Sequence, residues 1–204
     1  MLVADVMTQA VITTTPQAPV KEAAALLATN GFTALPVVDQ GDRLVGVVTE
    51  QDVVQDRILP DARRRVWHPE EVSPDPPMTV GEVMSSLPLT VTPHTDAAEL
   101  AHMMIDRRLR SVPVVDDGRL VGIVTRRDLV RTIARNDGLI AADVRRRLEI
   151  YGGLDRWTVQ THEGRVLITD EYADPADHHT ARILAEAVPG VVHAEVVYGT
   201  TTQA

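Results

Sequence analysis

The chain contains no cysteine, which removes disulfides, thiolate metal sites and thiol nucleophiles together and fits a reducing compartment. Aromatic residues are only 3% of its 204 residues, and Phe32 is the sole phenylalanine. Cores must therefore be built from Val, Leu, Ile and Ala, and base-stacking nucleic-acid surfaces are not expected. No run of about 18 apolar residues occurs, and the first fifteen residues lack the basic segment and apolar stretch of a secretory leader. These absences predict a soluble, cytoplasmic protein. Positive charge is also short, with 20 Lys and Arg against 29 Asp and Glu and a net charge of −9. Such a field repels phosphate backbones and anionic lipid, so nucleic acid is not an expected partner.

What the chain does have is a 44% hydrophobic content, enough for one or two ordinary cores, and a duplication. Val6-Met7 recurs as Val83-Met84 and Thr15-Pro16 as Thr92-Pro93, both at an offset of 77 residues. Pro36-Val37-Val38-Asp39 matches Pro113-Val114-Val115-Asp116 at that offset. The register then shifts to 76, where Leu44-Val45-Gly46-Val47-Val48-Thr49 meets Leu120-Val121-Gly122-Ile123-Val124-Thr125, and Asp52 meets Asp128. Each copy carries an amphipathic helical pattern, at Val20, Ala23, Ala24 and Leu27 and at Ala97, Leu100, Ala101 and Met104. Two short apolar runs follow, separated by the polar turns Asp39-Gln40-Gly41-Asp42 and Asp116-Asp117-Gly118. Each copy reads β-α-β-β-α, an α/β (α+β) arrangement, with copy one at residues 1–59 and copy two at 79–137.

Residues 60–78 hold Pro60, Pro69, Pro74, Pro76 and Pro77 with little periodicity, which marks a linker. From 138 to 204 a third pattern follows: a helix from Ile140 to about Ile150, strands near Trp157 to Thr161 and Arg165 to Thr169, a helix from Pro175 to Ala187, and a last strand from Val191 to Val197. This is a small separate α+β unit.

The recurring Val-x-x-Val-Met opening, the Thr-Pro approach to the first helix, the apolar-Pro-Val-Val-Asp strand and the Gly-apolar-Val-Thr-x-x-Asp segment closely resemble the cystathionine-beta-synthase (CBS) domain family. The resemblance covers roughly two thirds of the chain. It implies that the two repeats pair into one module whose clefts hold adenosine-containing ligands: AMP, ADP, ATP or S-adenosylmethionine. It further implies that Asp52 and Asp128 hold ribose hydroxyls and that Thr49 and Thr125 lie at phosphates. Adenine would lie against Phe32, Thr33, Ala34 and Leu35 in copy one and against Leu109, Arg110, Ser111 and Val112 in copy two. A homodimer is likewise implied, and no cofactor is required.

Elementary chemistry agrees with that reading, because a helix starting at Thr125 offers unpaired N–H groups and a positive dipole end, and a carboxylate suits vicinal hydroxyl donors. The same Thr-x-x-Asp pattern is also a capping box, sufficient for structure alone. The copies differ in charge. Copy two surrounds its motif with Arg107, Arg108, Arg110, Arg126 and Arg127, whereas copy one places Glu50 and Gln51 after Thr49. Phosphate is therefore expected to prefer the second site, unless those arginines form only a solvated helix face.

The C-terminal unit, with Asp143 to Leu148, the Val159 to Ile168 strand pair around Gly164, and Val188-Pro189-Gly190-Val191-Val192 before its final strand, resembles a BON domain, a family suspected of phospholipid association, although Asp170 stands where that family usually has a glycine. Its net charge of −4 opposes anionic lipid except through Arg145, Arg146, Arg147 and Arg156. His178-His179 diverge on a helix and make a poor metal pair, and Asp174-Pro175-Ala176-Asp177 reads as a cap, a first-turn proline and an acidic first turn. No nucleophile elbow, phosphate-binding loop or dinucleotide fingerprint is present, so no catalysis is expected. Three functions stay open: a nucleotide-responsive sensor acting on a protein partner or the C-terminal unit, a ligand-free dimerisation scaffold, and a peripheral membrane adaptor.

Overall fold

A computed structural model describes residues 1–55, 57–58 and 76–199; most of the linker expected at 60–78 lies outside the described residues. The chain forms two compact units, one of Met7–Pro93 with Met103–Thr125, the other of Met1–Val6, His94–His102 and Arg126 onward.

In the first unit, helix α1 (Val20–Asn30) buries Val20, Ala23 and Leu27 and stops at Gly31, whose φ of 63° only glycine adopts without cost. The hairpin β1 (Ala34–Val38) and β2 (Leu44–Thr49) follows, then the short helix α2 (Glu50–Val54). The hairpin turn is organised by Asp39, whose Oδ1 accepts from the N–H groups of Gly41 at 2.8 Å and Arg43 at 3.0 Å. Those bonds, led by that of Arg43, hold the Asp39 carboxyl below its usual pKa. Val20, Ala23, Leu27, Leu35, Val37, Val48, Val53 and Val80 form one apolar cluster.

Copy two repeats the plan with α3 (Val80–Val83), α4 (Ala97–Asp106) and the hairpin β3 (Ser111–Asp116) and β4 (Arg119–Thr125). Its register matches that of copy one residue for residue, Pro113 opposite Ile123 as Pro36 is opposite Val47. The proline in each strand costs no ladder bond. Thr14 N–H donates to Pro36 O at 3.0 Å and Val38 N–H donates to Thr14 O at 2.9 Å, so the bridge uses the proline's carbonyl and its neighbour's amide. Val91 does the same between Pro113 and Val115.

The leading strand of the expected β-α-β-β-α repeat is replaced by such isolated bridges. Copy one opens with a 3-10 turn at Val3–Asp5, followed by single bridges at Thr8 and Thr14. Proline at 16 and 93 and turn residues between the bridges keep these segments from extending.

The bridges also explain the Val-Met and Gly motifs. Thr8 exchanges backbone hydrogen bonds with Ile123 of copy two, at 2.9 and 3.0 Å, and Ser85 exchanges them with Val47 of copy one, at 2.9 and 3.1 Å. Each repeat thus lays its opening segment along the other repeat's hairpin.

The second unit holds α5 (Arg126–Ile133), α6 (Asp137–Gly152), β5 (Trp157–His162), β6 (Arg165–Asp170), α7 (Pro175–Glu186) and β7 (His193–Tyr198). Its sheet has the order β5-β6-β7, with β6 antiparallel to β5 and parallel to β7. The core is Ile140, Val144 and Leu148 of α6, Ala181 and Ala185 of α7, and Trp157, Val159, Val166, Ile168 and Ala194 of the sheet, with Val188. Helix α6 starts earlier than its apolar periodicity suggests because Asn136 caps it, accepting from Gly138 N–H at 2.8 Å. Asp174 caps α7 with Pro175 in the first turn, as expected. Strand β7 begins only at His193, since Val192 N–H is committed to Gly164 O at 2.8 Å.

Candidate ligand site

The site expected around copy one lies wholly in the first unit. Thr49 is the cap of α2, and its side chain and Asp52 form a reciprocal box. Asp52 Oδ2 accepts from Thr49 N–H at 2.8 Å and from Thr49 Oγ1 at 2.7 Å, and Asp52 N–H donates back to Thr49 Oγ1 at 3.3 Å. The capping role of the motif is therefore real, and it occupies one carboxylate oxygen of Asp52. Oδ1 accepts no hydrogen bond from the described residues, which leaves an acceptor for a hydroxyl pair. Ala34 and Leu35 are buried in β1, while Phe32 and Thr33 are half-buried just before it. Glu50 N–H donates to Thr33 O at 3.2 Å, closing the hairpin end and bringing the Thr49–Asp52 segment beside Phe32–Leu35.

Copy two contributes to the same place. Arg110 Nη1 lies 3.4 Å from Glu50 Oε2, with both side chains more than half exposed. Arg110, expected against adenine in the second repeat and counted among the arginines around its motif, is thus paired with the acidic residue that follows Thr49 in the first. Leu109 is half-buried, Ser111 half-buried and Val112 fully buried beside it in sequence. Sequence reasoning treated the two copies as separate sites and missed this pair, because nothing in the order of residues announces a contact across sixty positions.

Of the remaining copy-two residues, Thr125 belongs to the first unit, and Arg126, Arg127 and Asp128 belong to the second. Thr125 ends β4, and Arg126 and Arg127 are exposed in the first turn of α5. Asp128 is buried in that helix, 3.6 Å from Arg131 Nη1. Arg108, the second residue after α4, has a φ of 56° and aligns at the repeat offset with Gly31, the first residue after α1. Its backbone is committed to a helix-ending turn.

In the C-terminal segment one expectation is corrected. Arg156, counted among the arginines open to anionic lipid, is largely buried: Nε and Nη2 donate to Asp170 at 2.8 Å each, and Nη2 lies 2.7 Å from Asp177. Its guanidinium also stacks on Trp157, 4.2 Å from the ring centre. A cation so engaged offers nothing to a membrane surface. Asp177 and His178 are likewise spent here, His178 Nε2 lying 3.0 Å from Tyr172 O and 3.3 Å from Asp170.

A duplicated α+β module, with a Thr-x-x-Asp sequence after each hairpin and each repeat's opening laid on the other, defines a paired-repeat module. The chain belongs to the CBS domain family, whose model matches residues 3–57 and 80–135, more than half of its length. It is 32% identical over 132 residues to CBSX1, a chloroplastic CBS domain-containing protein of Arabidopsis thaliana, the match covering 57% of this chain and 56% of that one. The chain therefore spans a little over half the length of that relative. Among solved structures it is similar to Arabidopsis CBSX2 in complex with AMP, with 32% identity, a TM-score of 0.52 and coverage of 64% of this chain and 93% of that one. It is also similar to the CBS domain pair of MJ0100 in complex with 5′-methylthioadenosine and S-adenosyl-L-methionine, with 28% identity, a TM-score of 0.51 and coverage of 66% and 96%.

Proposed function

We propose that this protein is a non-catalytic sensor that binds an adenosine-containing ligand in its CBS pair and passes occupancy to a partner protein or to its C-terminal unit. The observation that carries the reading is the Oδ1 of Asp52, which accepts no hydrogen bond from the described residues, beside Phe32–Leu35, in a chain similar to CBS pairs solved with AMP, 5′-methylthioadenosine and S-adenosyl-L-methionine. Asp128 in the aligned position, with Arg126 and Arg127 next to it, supports a second site that favours phosphate. A ligand bound differently by two arrangements of the repeats shifts their balance by that difference in affinity. The protein acts in the cytoplasm as a homodimer. The helix-strand-strand-helix-strand order of the segment after Asn136 supports a BON-like domain as the output element.

Isothermal titration with AMP, ADP, ATP and S-adenosylmethionine, repeated on Asp52→Ala and Asp128→Ala, tests the proposal. Saturable binding by one ligand, weakened in either variant, is the expected result; heat from none of the four would sink it. The capping role of Thr49 and Asp52 favours a second reading, a ligand-free dimerisation scaffold, and that outcome together with a dimer by light scattering would select it. Sedimentation with phosphatidylserine vesicles tests the membrane-adaptor reading, which the burial of Arg156 disfavours.

A further inference from the structure

We infer that Glu50 makes the copy-one site selective for adenosine ligands that carry no phosphate, their 5′ substituent being neutral or cationic. The inference rests on the sensor reading above and narrows its ligand class.

Glu50 follows Thr49 directly and stands two residues before Asp52, so a ligand whose ribose meets Asp52 Oδ1 and whose 5′ end points toward Thr49 brings that end to Glu50. Arg110 is a cation placed there, and Glu50 already holds it at 3.4 Å. That pair, neutral as a whole, stands where the 5′ substituent arrives. A phosphate must take Arg110 from Glu50 and leave that carboxylate unpaired beside a group of charge near −2. Repulsion of that kind at contact distance weakens binding by about tenfold or more, depending on how much water remains. A thioether leaves the ion pair intact, and a sulfonium gains a carboxylate neighbour. In copy two the aligned residue is Arg126, of opposite sign, so the duplication has diverged at the position that meets the variable end of the ligand.

The test is titration with adenosine, 5′-methylthioadenosine, S-adenosylmethionine and AMP. It uses the intact chain, Glu50→Gln, Asp128→Ala, which leaves copy one as the binding site, and the double variant. In Asp128→Ala, 5′-methylthioadenosine and S-adenosylmethionine are expected to bind about tenfold or more tighter than AMP, and Glu50→Gln is expected to bring AMP within about threefold of 5′-methylthioadenosine. Should Asp128→Ala not fold, Glu50→Gln in the intact chain, an exposed and nearly isosteric change, is expected to tighten AMP without tightening 5′-methylthioadenosine. Equal affinity for AMP and 5′-methylthioadenosine in Asp128→Ala, or an AMP preference unmoved by Glu50→Gln, overturns the inference and leaves the sensor reading standing. Absence of binding by every ligand to the intact chain overturns the sensor reading itself.

Discussion

Met7 lies across Gly122, and Met84 lies across Gly46 in the same way. A Cβ on Gly122 would sit 2.6 Å from the Met7 sulfur, and one on Gly46 would sit 2.6 Å from the Met84 sulfur and 3.0 Å from Ser85 O. The methionine of each repeat's opening therefore needs the glycine of the other repeat's second strand, and the backbone exchange through Thr8 and Ser85 depends on that close approach.

Gly46→Ala is expected to lower stability by about 1–3 kcal/mol, the range for overpacking, despite the loss of unfolded-state entropy that favours alanine. Met84→Ala in the same chain relieves the contact with sulfur but not that with Ser85 O, so the double variant should fall short of additivity. Urea unfolding of the four proteins of this cycle measures the coupling; full additivity would show that the methionine does not press on the strand.

Arg108 carries a left-handed backbone at the position where copy one has Gly31. Arg108→Gly should raise stability by up to about 1 kcal/mol, the residual after glycine's greater unfolded-state freedom is subtracted. Gly31→Ala should do the reverse. A thermal midpoint that falls in Arg108→Gly would mean that its side chain contributes more than its backbone costs.

Asp170 is fully buried, and the Arg156 side chain is largely buried. Burial raises the Asp170 carboxyl, and the Arg156 guanidinium with the Tyr172 N–H outweighs it, so its pKa lies below the usual value. A depressed folded pKa gives stability that is complete above the unfolded value of about 3.9 and is lost as pH falls through the folded value. Asp170→Asn should cost about 3 kcal/mol at pH 7 by leaving Arg156 short of its bidentate partner. The gap between variant and wild type should close on acidification below the ordinary carboxylate range. Denaturant titrations at neutral and strongly acidic pH check both statements.

Asp137 accepts from Glu163 N–H at 2.8 Å and from Gly164 N–H at 2.9 Å, tying the start of α6 to the β5–β6 turn. These bonds, that of Gly164 first, lower its pKa. In Asp137→Ala those two amides should exchange with deuterium faster at neutral pH while the amides of β6 in its buried half hold their protection. Unchanged exchange at Gly164 would show that the turn stands without the carboxylate.

The duplication, the helix and hairpin order of each copy and the order of the C-terminal segment were all legible in the sequence, because periodicity, turn residues and caps act over a few positions. Val20, Ala23 and Leu27 proved buried on one helix face, and Asp174 proved a cap. The Thr49–Asp52 box was legible as well, since all its bonds span three residues. The Met and Gly repeats were visible as motifs, yet their joint recurrence did not say that each methionine meets the other copy's glycine. Arg156 gave no sign that it would turn inward, because one arginine in a charged segment looks like any other.

The sequence by itself determined the local elements, their repetition and the residue types at each candidate site. The pairing of Glu50 with Arg110, the exchange of opening segments and the burial of Arg156 against Asp170 were decided by tertiary structure alone. Each joins residues through a meeting of surfaces rather than through local spacing, and that meeting is set by how the cores close.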